Sequence, residues 1–184
     1  MKKYQIIYAD PPWRFEVWSR NTGLGRSAES HYPTMYLNDI KALSIPTDKN
    51  AVLFLWTPCP QIPEALEVIK SWGFTFKTVA FTWVKRNKKK SSWFWGMGYW
   101  TRANAELCLL ATKGNIKRIS SSVHSIIDTP IEEHSKKPAI VRERIVALIG
   151  DLPRIELFAR QKTEGWDVWG NEVESDIDLS LPIR

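Results

Sequence analysis

In the stretch YADPPW, Tyr8 to Trp13, a carboxylate, two prolines and an indole come directly after the apolar run QIIYA at 5–9. Each proline fixes its own φ at about −65° and pushes the residue before it toward an extended conformation. The backbone from Asp10 to Trp13 is therefore pre-set, and neither Pro11 nor Pro12 offers an N–H. Two acceptors, the Asp10 carboxylate and the Pro11 carbonyl, are then presented beside the flat ring of Trp13. Ligands of open α/β sheets bind outside the carboxyl ends of strands, and Asp10 stands at such an end. The set suits a planar ligand carrying an NH₂ group, of which adenine is the clearest case. The lone pair of its exocyclic N6 is delocalised into the ring and is a poor nucleophile. Acceptors that bind the N6 hydrogens out of plane favour a tetrahedral nitrogen and localise that pair, a stabilisation specific to the transition state. Trp13 is expected to stack on the base. The plain alternative for a lone Asp-Pro-Pro is a rigid surface turn.

The elements that must position these residues are marked by apolar periodicity. Continuous apolar runs at 5–9, 51–56, 78–84, 106–112 and 155–159 predict strands buried on both faces. Helical spacing runs through 61–72, where Gly73 ends it, and through 138–149, opened by Pro138 and stopped by Gly150. A shorter helix is expected at 37–43. Strands alternating with helices define an α/β domain with a mostly parallel sheet. The 184 residues suffice for a single domain with a sizeable core, taken as 1–172 with an acidic tail at 173–184. Two long polar segments remain, 14–36 and 85–105, and loops of that length are usually functional.

The formal net charge is +6, which favours a polyanionic partner. Five basic residues in KRNKKK (Lys85, Arg86, Lys88, Lys89, Lys90) precede the tryptophan-rich SSWFWGMGYW, a pairing that suits phosphate contact beside surfaces for bases. No apolar run is long enough to span a bilayer, and MKKYQ has no signal-peptide core, so no membrane role is expected. Cys59 and Cys108, far apart in apolar surroundings, form neither metal spacing nor a disulfide framework, which fits a reducing cytoplasm. The three histidines show no ligand spacing, and no catalytic metal is expected. GLGRSA at 23–28 comes after no strand and is not read as a phosphate loop.

YADPPW resembles the motif of the N6-adenine methyltransferases of the MT-A-seventy family. SAESHYPTM (27–35), FLW (54–56), FTWVKRNK (81–88), GMGYWTRANAELCLLATKG (96–114), EHSKKP (133–138), IELFARQ (155–161) and GWDVWGNE (165–172) are similar to family segments in family order, most of all those of the bacterial and phage branch. The resemblance implies a Rossmann-like, S-adenosylmethionine-dependent methyltransferase in permuted order, with the catalytic motif first and the cofactor segments last. By resemblance, Asp10, Pro11, Pro12 and Trp13 are catalytic. Lys137, Arg160, Gln161, Asn171 and Glu172 hold the cofactor. Tyr32, Tyr99, Trp100, Asn104 and Glu106 lie near the target adenosine. The expected substrate is DNA, duplex or single-stranded. The same chemistry on RNA stays open, as does pairing of two copies through 85–105. A silent nucleic-acid-binding subunit is a weaker alternative, because such relatives lose the DPPW chemistry.

Overall fold

The computed structural model describes residues 2–14, 34–98, 100–132 and 136–179. The chain runs through β1 (Tyr4–Ala9), α1 (Leu37–Ala42), β2 (Thr47–Thr57), a 3-10 turn (Cys59–Gln61), α2 (Ile62–Ser71), β3 (Thr75–Arg86), β4 (Glu106–Lys113), β5 (Ile126–Pro130), α3 (Ile140–Ile149), β6 (Arg154–Leu157) and β7 (Asp167–Trp169). Among the described residues one seven-stranded sheet has the order β5-β3-β4-β2-β1-β6-β7. Only β4 runs against its neighbours, pairing antiparallel with β2 and β3. The other pairings are parallel.

The central strands are apolar where both faces are covered. Ile7, Ala9, Leu53 and Leu55 pack against Ile40 and Leu43 and against Ala65, Val68 and Ile69 of α2. Their alternates Ile6, Tyr8, Val52, Phe54 and Trp56 face Val141, Ile145 and Ile149 of α3. Helices on both faces of a mostly parallel sheet are what the alternating pattern predicts. The first turn of α3 hangs on the Pro138 carbonyl, which accepts the N–H of Val141 at 3.2 Å.

The strands outrun their apolar runs. β2 and β3 extend through polar residues, and β5 and β7 lie where the sequence shows no apolar run. Both are short edge strands, and the charged Asp128 and Asp167 break the apolar signal. The loop expected from 85 begins at 87, since Lys85 and Arg86 close β3. Beyond them the chain continues as a hairpin arm. The N–H of Asn87 bonds the Ser92 carbonyl at 3.0 Å and that of Phe94 the Lys85 carbonyl at 2.9 Å. Residues 173–179 of the acidic segment are docked, with the Leu179 side chain buried and Asp176 accepting the Val168 N–H at 2.9 Å. Cys108 is buried as expected, but Cys59 is exposed.

One buried ion pair fixes α3 to the sheet. Arg142 makes a bidentate contact to Glu156 of β6, both bonds 2.7 Å, and its guanidinium lies 5.7 Å from the Tyr8 ring. Removing one partner of such a pair strands a charge. Glu156→Ala should lower the unfolding free energy by about 3 kcal/mol in urea titration. The double variant Arg142→Met, Glu156→Leu should recover most of that. A single-variant loss below about 1 kcal/mol would mean that water screens the pair as at a surface.

Candidate active site

The edge formed by the carboxyl ends of β1, β2, β3, β6 and β7 also receives the start of β4, because β4 is reversed. Asp10 leaves β1 where the chain steps to β2 on one side and β6 on the other, the switch point at which open sheets form their binding crevice. The prolines end the ladder there. The last β1 bond is the Asp10 N–H to the Leu157 carbonyl, 3.5 Å.

Trp13 departs from its expected role. It is only 6% exposed within the core cluster, and its Nε1–H donates to the Trp56 carbonyl at 3.0 Å. Its face is spent on packing and is not presented to a base. Trp13 therefore anchors the Asp-Pro-Pro turn to the end of β2. The turn's carbonyls are partly used as well. Pro11 accepts the Trp13 N–H at 2.8 Å and Pro12 the Met35 N–H at 2.9 Å. Each carbonyl oxygen retains a second lone pair.

Lys137, which the resemblance assigns to the cofactor, lies between two carboxylates. Its Nζ is 2.8 Å from Asp10 Oδ2 and 3.0 Å from Glu106 Oε2, and 5.6 Å from the centre of the Trp56 ring. Its side chain is 9% exposed. The other oxygen of Glu106 accepts a short ion-paired bond from Lys85. Charges thus alternate along Asp10, Lys137, Glu106 and Lys85, four residues from four separate parts of the chain. Burial pushes the Asp10 carboxyl up, and Glu106 adds to this against the pull of Lys137. Burial also pushes Glu106 up, but Lys137 and Lys85 outweigh it and hold Glu106 at about 2. Lys137 is held above its ordinary value, since Asp10 and Glu106 together overcome its burial.

The remaining expected residues divide. Arg160 and Glu172 face each other at 3.5 Å across the ends of β6 and β7, and Gln161 and Asn171 are exposed beside them. The approach of the two segments is close. The Ala159 N–H bonds the Trp169 carbonyl at 2.9 Å, and a Cβ on Gly170 would meet the Ala159 oxygen at 2.1 Å. The charge of Arg160 is felt at Asp10 and favours its ionised form. The Asn104 amide is engaged by the backbone. Its side chain clamps the arm, accepting the Lys85 N–H and donating to the Lys85 carbonyl, 2.9 Å each, and bonding the Phe94 carbonyl at 2.5 Å. Arg86 is paired with Asp128 and lies over the Trp93 ring at 4.6 Å. Lys88, Lys89 and Lys90 are exposed at the arm's tip. Trp100 is 95% exposed with φ at 70°. Tyr32 and Tyr99 lie outside the described residues.

Within the basic run, two partnerships emerge only in the structure: Lys85 with Glu106, and Arg86 with Asp128. The first has a signal in the sequence. If 85–105 joins two antiparallel strands, their ends must meet, and Lys85 lies diagonal to Glu106, two positions past its register partner Trp83. The second requires β5, which gives none.

The fold and its switch point are those of a Rossmann-like α/β domain. Residues 4–172 match MT-A70, and the chain belongs to that family. It is 36% identical to the Type II methyltransferase M.MunI of a Mycoplasma species, an alignment covering 100% of this chain and 83% of the relative. It is 27% identical to a putative N(6)-adenosine-methyltransferase MT-A70-like protein of Medicago truncatula, over 93% of this chain and 26% of the relative. To the human N(6)-adenine-specific methyltransferase METTL4 it is 26% identical, over 94% of this chain and 38% of the relative. The chain thus spans well under half the length of the plant and human proteins.

The two carboxylates have opposite linkage to folding. Asp10 is harder to ionise in the folded protein, so its charge costs stability near neutrality, and a neutral Asn removes that cost. The folded pKa of Glu106, about 2, lies below its ordinary 4.5. Its contribution is complete above the ordinary value and is lost as pH falls toward 2. At about pH 7, Asp10→Asn should melt at the same temperature or higher and Glu106→Gln lower, with the second deficit shrinking at about pH 3. Calorimetric melting at both pH values checks this, and a destabilised Asp10→Asn beside an unchanged Glu106→Gln would reverse the assignment.

Proposed function

We propose that the protein is an S-adenosylmethionine-dependent methyltransferase that acts on the N6 amino group of adenine in DNA. The observation that carries this reading is the Asp10 carboxylate, locked by two prolines at the switch point and held at 2.8 Å by the Lys137 ammonium. The names of the plant and human relatives, which specify N(6) and adenosine or adenine, support it.

The residues at the ends of β6 and β7 fit the cofactor. Glu172 suits ribose hydroxyls as an acid acceptor, Arg160 suits a carboxylate, and the amides of Gln161 and Asn171 can both donate and accept. When bound, S-adenosylmethionine supplies a methyl group on a positively charged sulfur. The chain's own part lies at the nitrogen. Asp10 accepts one N6 hydrogen, and the spare lone pair of Pro11 is available for the other. Together they draw the nitrogen out of the ring plane and localise its lone pair. Burial raises the proton affinity of Asp10, which strengthens it as an acceptor when positive charge develops on N6. Lys137 and Glu106 hold its orientation.

An adenine in a duplex must leave the stack to reach such a recess. The arm offers the polyanion contacts: Lys88, Lys89 and Lys90 for phosphates, and the exposed rings of Trp93, Trp95 and Trp100 for unstacked bases.

Asp10→Ala should lower kcat by at least about a hundredfold while S-adenosylmethionine binding persists. Transfer of labelled methyl groups to matched DNA and RNA oligonucleotides measures this and also separates the two substrates. Preference for RNA would overturn the DNA reading and leave the N6 chemistry standing. Changing Lys88, Lys89 and Lys90 together to Gln should weaken DNA binding across sequences. The slope of log K against log salt should shrink by about 0.9 per lost contact for duplex DNA. An unchanged slope would mean the arm's tip does not touch phosphates.

A further inference from the structure

Lys85 belongs to the strongly basic run, yet its position is unlike that of its neighbours. It is the second-last residue of β3, its side chain is largely buried, and its Nζ is bound to Glu106 and lies 5.0 Å from the Trp83 ring. Its own backbone is gripped on both sides by the Asn104 amide. A cation held this way is poorly placed to meet a phosphate. We propose that Lys85 is a positioning residue for methyl transfer, acting through Glu106 on Lys137 and thereby on the Asp10 carboxylate. This rests on the reading of Asp10 given under Proposed function.

Geometry and charge both point to this role. Glu106 uses one oxygen for Lys85 and the other for Lys137. With Lys85 in place, the carboxylate is tethered at both oxygens and the Lys137 ammonium has a fixed partner besides Asp10. Without Lys85, Glu106 is free to rotate, and a single ammonium must serve both Asp10 and Glu106. Lys137 is then drawn out of its present balance. Two carboxylates around one cation also carry a net negative charge, and repulsion between them favours protonation of one. With Lys85 the four charges balance and Glu106 is tethered, which reduces both defects. Asn104 contributes by fixing the backbone from which Lys85 reaches.

The groups that face the pair set the pH expectation. Glu106 is faced by Lys137 at the opening of α3, Lys85 of β3 and Asp10 after β1. Asp10 is also in the field of Arg160, and its own charge reaches Glu156 and Cys108. Lys85 is the cation in this set that touches only Glu106 among the carboxylates. Its removal takes one positive charge away, so the carboxylates bind protons more readily and the acid limb of the kcat profile moves to higher pH.

The test compares Lys85→Met, Lys85→Arg and the double variant Lys85→Met, Glu106→Gln in full-length protein, with a DNA oligonucleotide as substrate. Lys85→Met should lower kcat by about tenfold or more, leave DNA affinity and its salt slope near those of the parent, and shift the acid limb up by about one pH unit. Lys85→Arg, which keeps the charge, should restore the acid limb. In the Glu106→Gln background Lys85→Met should have little further effect, because the two act as one unit. Should Lys85→Met not fold, Lys85→Gln carries the same readouts. A reduced salt slope with an unmoved acid limb would make Lys85 a phosphate contact and overturn the proposal, and so would parental kcat. If the parent itself transfers no methyl group to adenine, the functional reading fails, an outcome separate from both.

Discussion

The arrangement depends on a single ammonium group. Asp10 and Glu106 both approach Lys137 within 3.0 Å in a recess that excludes much of the solvent. Two ionised carboxylates so close, without a cation between them, would repel strongly at the low effective dielectric of such a site. Lys137 offsets much of that repulsion, and its position is set by the helix that follows it. Pro138 and the first turn of α3 direct the chain, α3 packs by Val141, Ile145 and Ile149, and Arg142 grips Glu156 on the strand beside Asp10. The orientation of the carboxylate is thus inherited from the packing of a helix on one face of the sheet.

The reversed strand is the second requirement. In an all-parallel sheet only carboxyl ends reach the crevice, and strand starts lie at the opposite edge. Because β4 is antiparallel to β2 and β3, its first residue, Glu106, reaches the crevice directly from the sheet. Lys85, at the end of β3, is then its diagonal neighbour. Of the two carboxylates and two ammonium groups, Glu106 and Lys85 stand on strands, which hold side chains more rigidly than loops do, and Asp10 directly follows β1. Lys137 comes from the segment that leads into α3.

What is legible in the sequence depends on how local each cause is. β1, the core of β2, and the helix before Gly150 are legible because continuous apolar runs and helix stop signals act within a few residues. β5 and β7 are not, since edge strands owe their state to a neighbour's hydrogen bonds more than to their own apolar content. Asp10 is legible as a strand-end carboxylate with a fixed backbone. The expectation for Trp13 fails for an instructive reason: an indole after two prolines is equally suited to stacking on a ligand and to plugging the core, and only the Trp56 carbonyl decides between them. The ion pair of Lys85 with Glu106 needs the register of two strands, which no local pattern contains.

The period of two along a strand explains why one run of charge divides. Lys85 and Arg86 are consecutive, so their side chains leave β3 on opposite faces. One turns to Glu106 and the site, the other to Asp128 on the edge strand β5. Past the strand end the constraint lapses, and Lys88 to Lys90 remain in solvent. The tryptophans divide on the same boundary. Trp13, Trp56 and Trp72 are buried with their N–H groups satisfied by the Trp56 carbonyl, the Tyr8 hydroxyl and the Ile40 carbonyl. Trp93, Trp95 and Trp100 are exposed on the arm. Burying a large ring while satisfying its N–H is the ordinary use of tryptophan; leaving three in water beside three lysines forgoes that gain. Such a surface is suited to a partner with stacked faces and regularly spaced negative charge, and the arm that carries it springs from the strand whose end also holds the Lys85 ion pair to Glu106.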